Sequence, residues 1–292
     1  MKVLVTGVTG KTGRRVAESL VSRGVGVRAL VRDLGRGKLA TVGMGVELAL
    51  GDFDEPESIV SAVEGCSGAF LVSQDNPKQV EQEVNFARQA ADSGVRHIVK
   101  LSSSDAGQRP YAWSVAHAKI ENEIRNIGVP YSFLRPHFFM DNYLSLLKIE
   151  SKGEVILEAP AGEGLIGAID SFDIGECGAQ ILCNGNPLND HVLLNGPENI
   201  SMYRVAEAFS NACNKLIRYV DLDMNQYSSD PEIDPDVADV YQEVHDGTMA
   251  VMSDNVETIT GKRPRTIEQF AKANVEAIEA VFAPVAKRQS HT

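Results

Sequence analysis

The chain has 292 residues, of which 43% are hydrophobic and 23% are charged, and its formal net charge at pH 7 is −12. A chain this acidic is a poor partner for a phosphate backbone, so nucleic acid is not expected as its principal ligand. No apolar run has membrane-spanning length, and the first apolar strand follows Met1 too closely for a signal peptide. We therefore expect a cytoplasmic globular protein without a membrane segment.

The cysteines give no sign of a metal site. None of the four is spaced from another as zinc ligands are in C-x-x-C motifs. We predict no metal and interpret these residues as small buried hydrophobic side chains in a reducing compartment: Cys66, Cys177, Cys183 and Cys213.

The first thirteen residues have the pattern of a buried strand, a glycine-rich turn and the start of a helix. Val3, Leu4 and Val5 are typical of a strand buried on both faces, and the apolar spacing from Val16 onward predicts a helix from about Thr12. The glycines between them are spaced G-x-x-G-x-x-G. Bare backbone N–H groups in such a turn, at a helix N-terminus, bind a pyrophosphate. We therefore predict dinucleotide binding through Gly7, Thr9, Gly10, Lys11, Thr12 and Gly13.

The end of the second predicted strand, residues 26–32, bears on the choice of cofactor, because this position meets the adenosine ribose in dinucleotide-binding folds. Arg32 ends the strand, and its guanidinium is suited to a 2′-phosphate. Arg36 and Lys38 add positive charge. The sequence therefore favours NADP(H) over NAD(H). Asp33 supports the opposite choice, since a carboxylate facing the ribose would accept hydrogen bonds from a free 2′-hydroxyl.

The chain up to about residue 150 alternates strands with helices. Further strands are predicted at 46–50, 68–73, 95–101 and 131–135, and helices at 56–64, 77–93 and 113–126. This alternation predicts an α/β fold, a doubly wound parallel sheet whose ligands bind at the carboxyl ends of the strands. The residues after these strand ends are accordingly assigned to the cofactor: Asp52, Phe53, Ser73, Gln74, Ser102, Ser103, Pro136 and Phe138.

Three polar residues in this part of the chain receive structural interpretations. Asp54 and Glu57 are interpreted as a helix N-cap and its capping-box partner. His97 is interpreted as a strand residue without a chemical role. None of the three is therefore assigned to the site.

Beyond about residue 150 the regular alternation is lost. Short strands are predicted at 154–157, 165–169, 191–194 and 217–220, with helices at 173–183, 202–215, 237–252, 254–258 and 266–280. These strands are too few for an independent sheet. We therefore predict a dinucleotide-binding domain at 1–150, a substrate-binding lid intertwined with it at 151–285, and a disordered tail at 286–292.

Several motifs together resemble those of one family. They are Val5-Thr-Gly-Val-Thr-Gly-Lys-Thr-Gly13, Val31-Arg-Asp33, Gly51-Asp52, Leu101-Ser-Ser-Ser104, His117-Ala-Lys-Ile-Glu121, Leu134-Arg-Pro136 with Phe139 and Asn142, and Val256-Glu-Thr-Ile-Thr-Gly261. Over nearly its whole length the sequence resembles the NmrA-like branch of the atypical short-chain dehydrogenase/reductases. Within that branch it looks most like the bacterial quinone reductases, triphenylmethane reductases and ergot-alkaloid iminium reductases. The resemblance implies a Rossmann-type sheet with bound NAD(P)(H), a smaller C-terminal substrate-binding α/β region, and a small electrophilic organic substrate, in a monomer or homodimer.

One position departs from the chemistry of the superfamily, which pairs a proton-donating tyrosine with a lysine four residues later. If Lys119 keeps the place of that lysine, Val115 stands where the tyrosine should be, and Tyr111 lies eight residues before the lysine. We therefore expect hydride acceptors that are already electrophilic, such as quinones, iminium ions, conjugated dyes or enones. The resemblance implies His117 and Lys119 as catalytic candidates, with Lys119 also contacting the nicotinamide ribose or amide of the cofactor, and His137, Phe139 and Asn142 as substrate contacts. From their positions in the sequence, Tyr111 is added as a catalytic candidate and Tyr227 as a substrate contact.

Two other functions stay open on the same fold. The NmrA type of this family implies a regulator that senses NAD(P) without turnover and reports to a protein partner. Polar groups at His117, Lys119 and residues 102–104 favour catalysis, whereas Val115 favours the regulator. Isomerase or dehydratase chemistry with a tightly held cofactor is a third alternative, which the absence of the tyrosine disfavours.

Overall fold

The computed structural model describes residues 1–150 and 153–282. They form two compact units, each built from separate stretches of chain. The first comprises Met1–His137, Ser171–Leu194 and Asn255–Lys262, and the second comprises Phe138–Asp170, Asn195–Asp254 and the residues from Arg263 onward. This division differs from the boundary expected at residue 150, because two later stretches return to the first unit. The tail expected at 286–292 lies outside the described residues.

Within the described residues, the strands and helices alternate through the first half of the chain. The strands are β1 Lys2–Val5, β2 Gly26–Val31, β3 Glu47–Leu50, β4 Gly68–Leu71, β5 Ile98–Leu101, β6 Tyr131–Pro136, β7 Phe138–Phe139, β8 Leu147–Ile149, β9 Val155–Ala159, β10 Ala168–Ile169, β11 His191–Leu194 and β12 Ile217–Asp221. The helices are α1 Lys11–Ser22, α2 Leu34–Ala40, α3 Pro56–Val63, α4 Gln79–Asp92, α5 Ala112–Ile127, α6 Ser171–Asn184, α7 Met202–Cys213, α8 Met224–Ser229, α9 Pro235–His245, α10 Asn255–Thr260, α11 Ile267–Ala273 and α12 Val275–Ala280, with a 3-10 helix at Met140–Leu146.

The first unit is built around a parallel sheet with the strand order β11-β6-β5-β4-β1-β2-β3. Its central strands are apolar and buried, and Val3, Leu4 and Val5 of β1 have no exposed surface. Along the chain, β2 and β3 are added on one side of β1, and β4, β5 and β6 are added on its other side. The strand order therefore reverses between β1 and β4. Ligands of such sheets bind at this point, outside the carboxyl ends of the strands. The predicted fold class, a Rossmann-type doubly wound parallel sheet, is confirmed.

One end of this sheet is completed by a segment from late in the chain. β11 pairs in parallel with β6, and His191 lies opposite Phe133. The preceding helix, α6, packs against α1 at Gly175, where a Cβ would lie 2.5 Å from Arg15 Cβ. The glycine therefore permits a close helix contact. These contacts correct the assignment of 191–194 to a C-terminal region.

The second unit has a sheet of its own. β9 pairs in parallel with β12 and antiparallel with β8, and β7 pairs with β10 in a separate sheet. The expectation that this part of the chain has too few strands for an independent sheet is therefore wrong. The strand that the sequence did not predict is β8, which pairs with β9 and has only three residues, too few to give a periodic pattern. Tyr143, Leu157, Phe209 and Phe270 are among the residues of the unit's buried core.

Two C-terminal helices are shorter than predicted. The helix expected at 237–252 ends at His245, and Gly247 follows with a left-handed φ of +78°. The helix expected at 266–280 divides at Asn274 into α11 and α12. In both cases the apolar pattern continues past the point where the backbone leaves the helix.

Two interpretations of the N-terminal helices are also corrected. α2 was not predicted, since Gly35 and Gly37 give its sequence a low helix propensity. Asp54 is not the N-cap of α3, because Glu55 occupies that position and its side chain makes no capping hydrogen bond. Pro56, with its fixed φ, stands at the start of the helix instead.

The cysteines are free thiols, and three of them are buried as expected: Cys66, Cys177 and Cys213. Burial raises the pKa of the Cys66 and Cys177 thiols above the ordinary value. Within residues 1–150 and 153–282, no helix is long and apolar enough to cross a membrane, and no group of three or more His, Cys, Asp or Glu side chains could hold a metal ion.

Candidate active site

The turn after β1, residues 6–13, is called the glycine loop here and is fixed by close backbone packing. Gly7 has a left-handed φ of +64°, and a Cβ there would lie 2.5 Å from Val72 Cγ1. Thr6 Oγ1 donates to the Val72 carbonyl oxygen at 2.7 Å and accepts from the Val72 N–H at 2.8 Å. These contacts tie the end of β1 to the end of β4, where the strand order reverses.

Gly13 and Gly10 meet different constraints in the glycine loop. A Cβ on Gly13 would lie 2.4 Å from the Gly7 carbonyl oxygen, so only glycine lets α1 start this close to the turn. A Cβ on Gly10 would meet only that oxygen, at 3.3 Å, and Gly10 is exposed. As the N-cap of α1, Gly10 offers no side-chain oxygen, so the first N–H groups of the helix are open to an anion. The other residues predicted to bind here are exposed at Thr9 and Lys11 and buried at Thr12.

Arg32 and Asp33 follow β2 and differ in their contacts. Arg32 is exposed at the strand end. The Asp33 carboxylate caps α2, with its Oδ1 accepting from the Arg36 N–H at 2.9 Å. The hydrogen bond to α2 thus fixes the orientation of the Asp33 carboxylate, which was the residue that favoured a free 2′-hydroxyl, and it engages one of the two carboxylate oxygens. This arrangement favours a 2′-phosphate at the strand end.

Asp52 and Phe53 follow β3 and make contacts within the protein. Asp52 Oδ1 accepts from the Asp54 N–H at 3.1 Å. The Phe53 ring packs edge-to-face on Phe86, with the ring centroids 5.5 Å apart. Both residues keep part of their surface exposed, so their contact with an adenine stays a prediction.

The serines assigned to the cofactor crevice bind carboxylates. Their hydroxyl groups donate to Glu83 Oε1 from Ser73 at 2.8 Å, to Glu121 Oε1 from Ser102 at 2.6 Å, and to Asp105 from Ser103. Each hydroxyl proton is therefore committed within the protein, and a cofactor would find only acceptor lone pairs on these oxygens. Gln74, assigned to the same crevice, is exposed.

The fully buried Glu83 and Lys100 and the half-buried His117 form a group at the end of β5, called the lysine cluster here. Lys100 Nζ lies 2.8 Å from His117 Nδ1 and 2.7 Å from the Leu101 carbonyl oxygen. It also lies 3.1 Å from Glu83 Oε2, an ion pair rather than a well-directed hydrogen bond, and neither side chain of that pair has exposed surface. An ammonium group only donates, so His117 Nδ1 must accept and the ring proton lies on Nε2.

His117 is neutral in this environment. Its burial and the positive charges of Lys100 and Arg135 lower the pKa of His117 to about 2. Among the residues that the structure describes, Lys100 alone hydrogen-bonds the imidazole. The Nε2–H is therefore left as a donor for a ligand. If His117 has the predicted catalytic role, this is the group that would donate to the substrate.

Glu121 lies one turn after His117 on α5 and forms a second buried group, the glutamate cluster. Arg135 binds it in bidentate fashion, from Nε to Oε1 at 2.9 Å and from Nη2 to Oε2 at 2.7 Å, and Arg125 Nη2 lies 3.0 Å from Oε2. Burial raises the pKa of Glu121, but the hydrogen bonds from Arg135 and Ser102 and the charges of both arginines bring it below the ordinary value. The cluster fixes the inner face of α5 to the ends of β5 and β6.

The other catalytic candidates lie on the outer face of α5 or before it. Lys119 is exposed, and Val115, one turn earlier, is 38% exposed. Tyr111 precedes the helix, is 3% exposed, and packs on Trp113 with the ring centroids 5.0 Å apart. The structure thus brings His117, but not Lys119, to the buried ion pairs of the sheet.

The remaining predicted residues divide between the two units. The first unit holds Pro136, which ends β6, and His137, whose N–H donates to the Leu194 carbonyl oxygen at 3.0 Å. The second unit holds Phe138 and Phe139 in β7, the exposed Asn142, and Tyr227, whose ring packs edge-to-face on Tyr241. Their contacts with a cofactor or a substrate stay predictions.

Sequence reasoning missed the charged partners of this site: Glu83, Lys100, Glu121 and Arg135. A signal was present, because Lys100 interrupts the apolar strand Ile98–Leu101, and lysine is almost never fully buried without a partner. Glu83 likewise interrupts the buried face of α4. Each residue could have been flagged alone, but only the folded chain shows which partner it meets.

Comparison with known proteins gives a match over nearly the whole chain. The model of the NmrA-like family matches residues 1–280. The chain is 30% identical over 287 residues to an NAD(P)H azoreductase of Xenophilus azovorans, a match that covers 95% of this chain and 99% of that protein.

Two solved structures share the fold. The triphenylmethane reductase of Citrobacter sp., complexed with NADP(H), matches with a TM-score of 0.77 at 21% identity and covers 94% of this chain and 100% of its own. The negative transcriptional regulator NmrA, in complex with NADP, matches with a TM-score of 0.79 at 18% identity and covers 97% of this chain and 98% of its own. One fold therefore serves a reductase and a regulator.

Proposed function

Because the chain belongs to the NmrA-like family, we propose that it is an NADPH-dependent reductase that transfers hydride to a small electrophilic organic molecule. The observation that carries the proposal is an open glycine loop and a neutral His117, both positioned by the carboxyl ends of strands in one parallel sheet. The loop offers N–H donors to the phosphates of a dinucleotide. His117 offers its Nε2–H to an oxygen or nitrogen of a substrate.

The residues at the strand ends fit NADPH. No side chain at Gly10 stands in front of the first N–H groups of α1, and the exposed Arg32 is suited to the 2′-phosphate while Asp33 caps α2. A bound NADPH supplies the hydride. The azoreductase relative is named for NAD(P)H, which supports a nicotinamide cofactor here.

The proposed substrate class is supported by Val115 and by the names of the relatives. Valine cannot donate a proton where the superfamily has its tyrosine, so a carbon or nitrogen that is already electron-poor suits this chain better than a simple carbonyl. The azoreductase and the triphenylmethane reductase are named for conjugated acceptors of this kind. Quinones, iminium ions, azo compounds, cationic dyes and enones are therefore the proposed substrates. Lys119 and Tyr111 stay secondary catalytic candidates.

The test is the consumption of NADPH by the purified protein in the presence of one acceptor of each class. We expect oxidation of NADPH with at least one conjugated acceptor and none without acceptor. Gly10→Val is the matched control, because it removes the phosphate site while leaving the fold. Equal rates with this variant and with the wild type would show that the reaction does not use the proposed site.

A regulator that binds NADP without turnover is the second candidate, and the observation that favours it is Val115 at the position of the tyrosine. The likeness to the NmrA fold is consistent with it but shows the fold alone. Calorimetric binding of NADPH without reduction of any acceptor would favour this candidate over the reductase.

A further inference from the structure

Lys100 has no part in the function proposed so far, yet its side chain is fully buried. Burying an ammonium group is costly unless its partners are well placed. Here the partners are the Glu83 carboxylate at 3.1 Å, the Leu101 carbonyl oxygen at 2.7 Å and His117 Nδ1 at 2.8 Å. His117 is the one neighbour of the three that can accept a proton on one nitrogen and release another proton from the opposite nitrogen.

We propose, on the basis of the reductase function above, that Lys100 is the proton source of the reaction and that His117 relays the proton to the substrate. Hydride transfer to a quinone leaves an oxyanion. The His117 Nε2–H proton passes to this oxyanion and forms the O–H bond, while a Lys100 proton passes to His117 Nδ1. The lysine becomes a neutral amine, the imidazole stays neutral as its other tautomer, and the product leaves as a hydroquinone.

The proton of Lys100 prevents the formation of an imidazolate when the neutral His117 donates to the substrate. If Nε2 gave up its proton alone, an imidazolate would remain in a buried site, which is costly. Simultaneous transfer from Lys100 to Nδ1 avoids that anion. After the transfer, Glu83 is left beside a neutral amine, so its negative charge draws a proton back from water through the imidazole. Glu83 is thus a positioning residue, and Lys100 with His117 replaces the acid missing at Val115.

The charged groups around the imidazole come from β5, β6, α4 and α5 itself. Lys100 and Arg135 are positive, and each is paired with a buried carboxylate, Glu83 and Glu121 respectively. Both positive charges oppose protonation of His117, whose pKa is about 2 after burial is included. We therefore expect kcat for a quinone to lack the inflection that an ordinary histidine gives at its usual pKa of about 6.5.

The first experiment reads the imidazole without any turnover. Nitrogen-15 NMR of the wild type, with His117 assigned by difference from His117→Gln, should show Nδ1 unprotonated, Nε2 protonated, and no titration between about pH 5 and 8. Lys100→Met alone leaves the buried carboxylate of Glu83 without its cationic partner, so the variant to use is Lys100→Met/Glu83→Gln, which removes both charges. In it the Nδ1 resonance should shift and the pKa should rise. An unchanged Nδ1 resonance would overturn the contact on which the relay depends.

The second experiment separates proton transfer from hydride transfer. A quinone gives an oxyanion on reduction, whereas a cationic triphenylmethane dye gives a neutral product that needs no proton. General acid catalysis contributes about 10²–10⁴-fold, so Lys100→Met/Glu83→Gln should lower kcat for the quinone by roughly that factor and leave kcat for the dye within about threefold. Adding His117→Gln should cause little further loss with the quinone, because the two residues act in one step.

The control exchanges the same residue types in a surface ion pair of the same unit. Lys2→Met/Glu47→Gln removes a pair at 2.8 Å that is partly exposed, and both substrates should react as with the wild type. Equal losses with quinone and dye in the Lys100 variant would overturn the relay, since they would indicate a structural effect. Absence of turnover by the wild type would overturn the reductase function and the transfer with it, whereas the NMR result would still show whether Lys100 sets the protonated nitrogen of His117.

Discussion

The glycine loop and the lysine cluster both lie at the carboxyl ends of strands in one sheet, but they are built in different ways. The loop is a contiguous stretch, residues 6–13, and it presents backbone N–H groups without a charged side chain at its glycines. The lysine cluster joins side chains from α4, β5 and α5. A site made of backbone is sensitive to a single Cβ. The stability of the fold around buried paired charges is sensitive to the loss of one partner but tolerates the loss of both.

The largest expected effect lies in the loop and separates binding from folding. Gly10→Val should abolish detectable NADPH binding in calorimetry while unfolding remains cooperative, because the added side chain meets only one oxygen of the protein, at 3.3 Å. Gly13→Ala should instead lower stability by roughly 1–3 kcal/mol or more, since its Cβ would lie 2.4 Å from the Gly7 carbonyl oxygen. Normal NADPH binding by Gly10→Val would mean that the phosphate site lies elsewhere.

The second prediction concerns the lysine cluster and the proton donor that the superfamily has, but this chain lacks, at Val115. We expect unactivated aldehydes and ketones to react about 10²–10⁴-fold more slowly than quinones, because Val115 cannot protonate the alkoxide as it forms and the neutral imidazole of His117 is a weaker acid than the tyrosine of the superfamily. His117→Ala should slow a quinone more than an iminium ion, since only the quinone leaves an oxyanion. Steady-state rates on one substrate of each class test both statements. Fast, pH-independent reduction of an unactivated ketone would falsify the scheme and point to Tyr111 as a donor.

The third prediction compares a buried charge with an exposed one on the same helix. Glu121→Gln should lower the free energy of unfolding by about 3–5 kcal/mol, because it leaves Arg135 without its ionic partner. Glu123→Gln is the control: its pair with Arg88, at 3.4 Å, is exposed on both sides, and its loss should cost at most about 1 kcal/mol. Urea unfolding measures both. Similar values for the two variants would mean that burial adds nothing to the glutamate cluster.

The smallest effect is expected at Arg32, where an exposed side chain assists the loop. Arg32→Ala should weaken NADPH binding by about 1.5–3 kcal/mol and leave NADH binding nearly unchanged, since only NADPH carries the 2′-phosphate. Arg88→Ala removes a similar exposed charge and should affect neither cofactor. If calorimetry finds equal losses for NADPH and NADH with Arg32→Ala, then Asp33 is the residue that meets the ribose.

The sequence predicted features that depend on neighbouring residues, such as the glycine loop, but not those that join distant parts of the chain, such as the lysine cluster. Val3–Val5 and the spaced glycines predict the strand, the turn and the helix, because each signal lies within a few neighbouring residues. The family resemblance rests on such motifs, and it is confirmed by the family match over residues 1–280. The partners of Lys100 could not be predicted, since Glu83 and His117 are distant in sequence and meet only after α4 and α5 have packed on β5.

The position of β11 escaped prediction for the same reason. Its apolar pattern identified the strand at 191–194, but nothing in four residues indicates which sheet they join. The decisive contacts are with β6 and, through α6, with α1. Asp33 is a smaller example: its role as a cap depends on α2, which two glycines hid from the helix pattern.

The late origin of β11 has a consequence for how the protein is made. While residues 1–150 leave the ribosome, β6 is an edge strand with unpaired N–H and C=O groups, and its neighbour arrives only with residues 191–194. Unpaired strand edges in nascent chains are the surfaces through which chains aggregate, and pairing between distant segments slows folding. A fragment cut at residue 150 would keep that edge open permanently. The edge of β6 can therefore be covered by its native partner only after residues 191–194 have been translated.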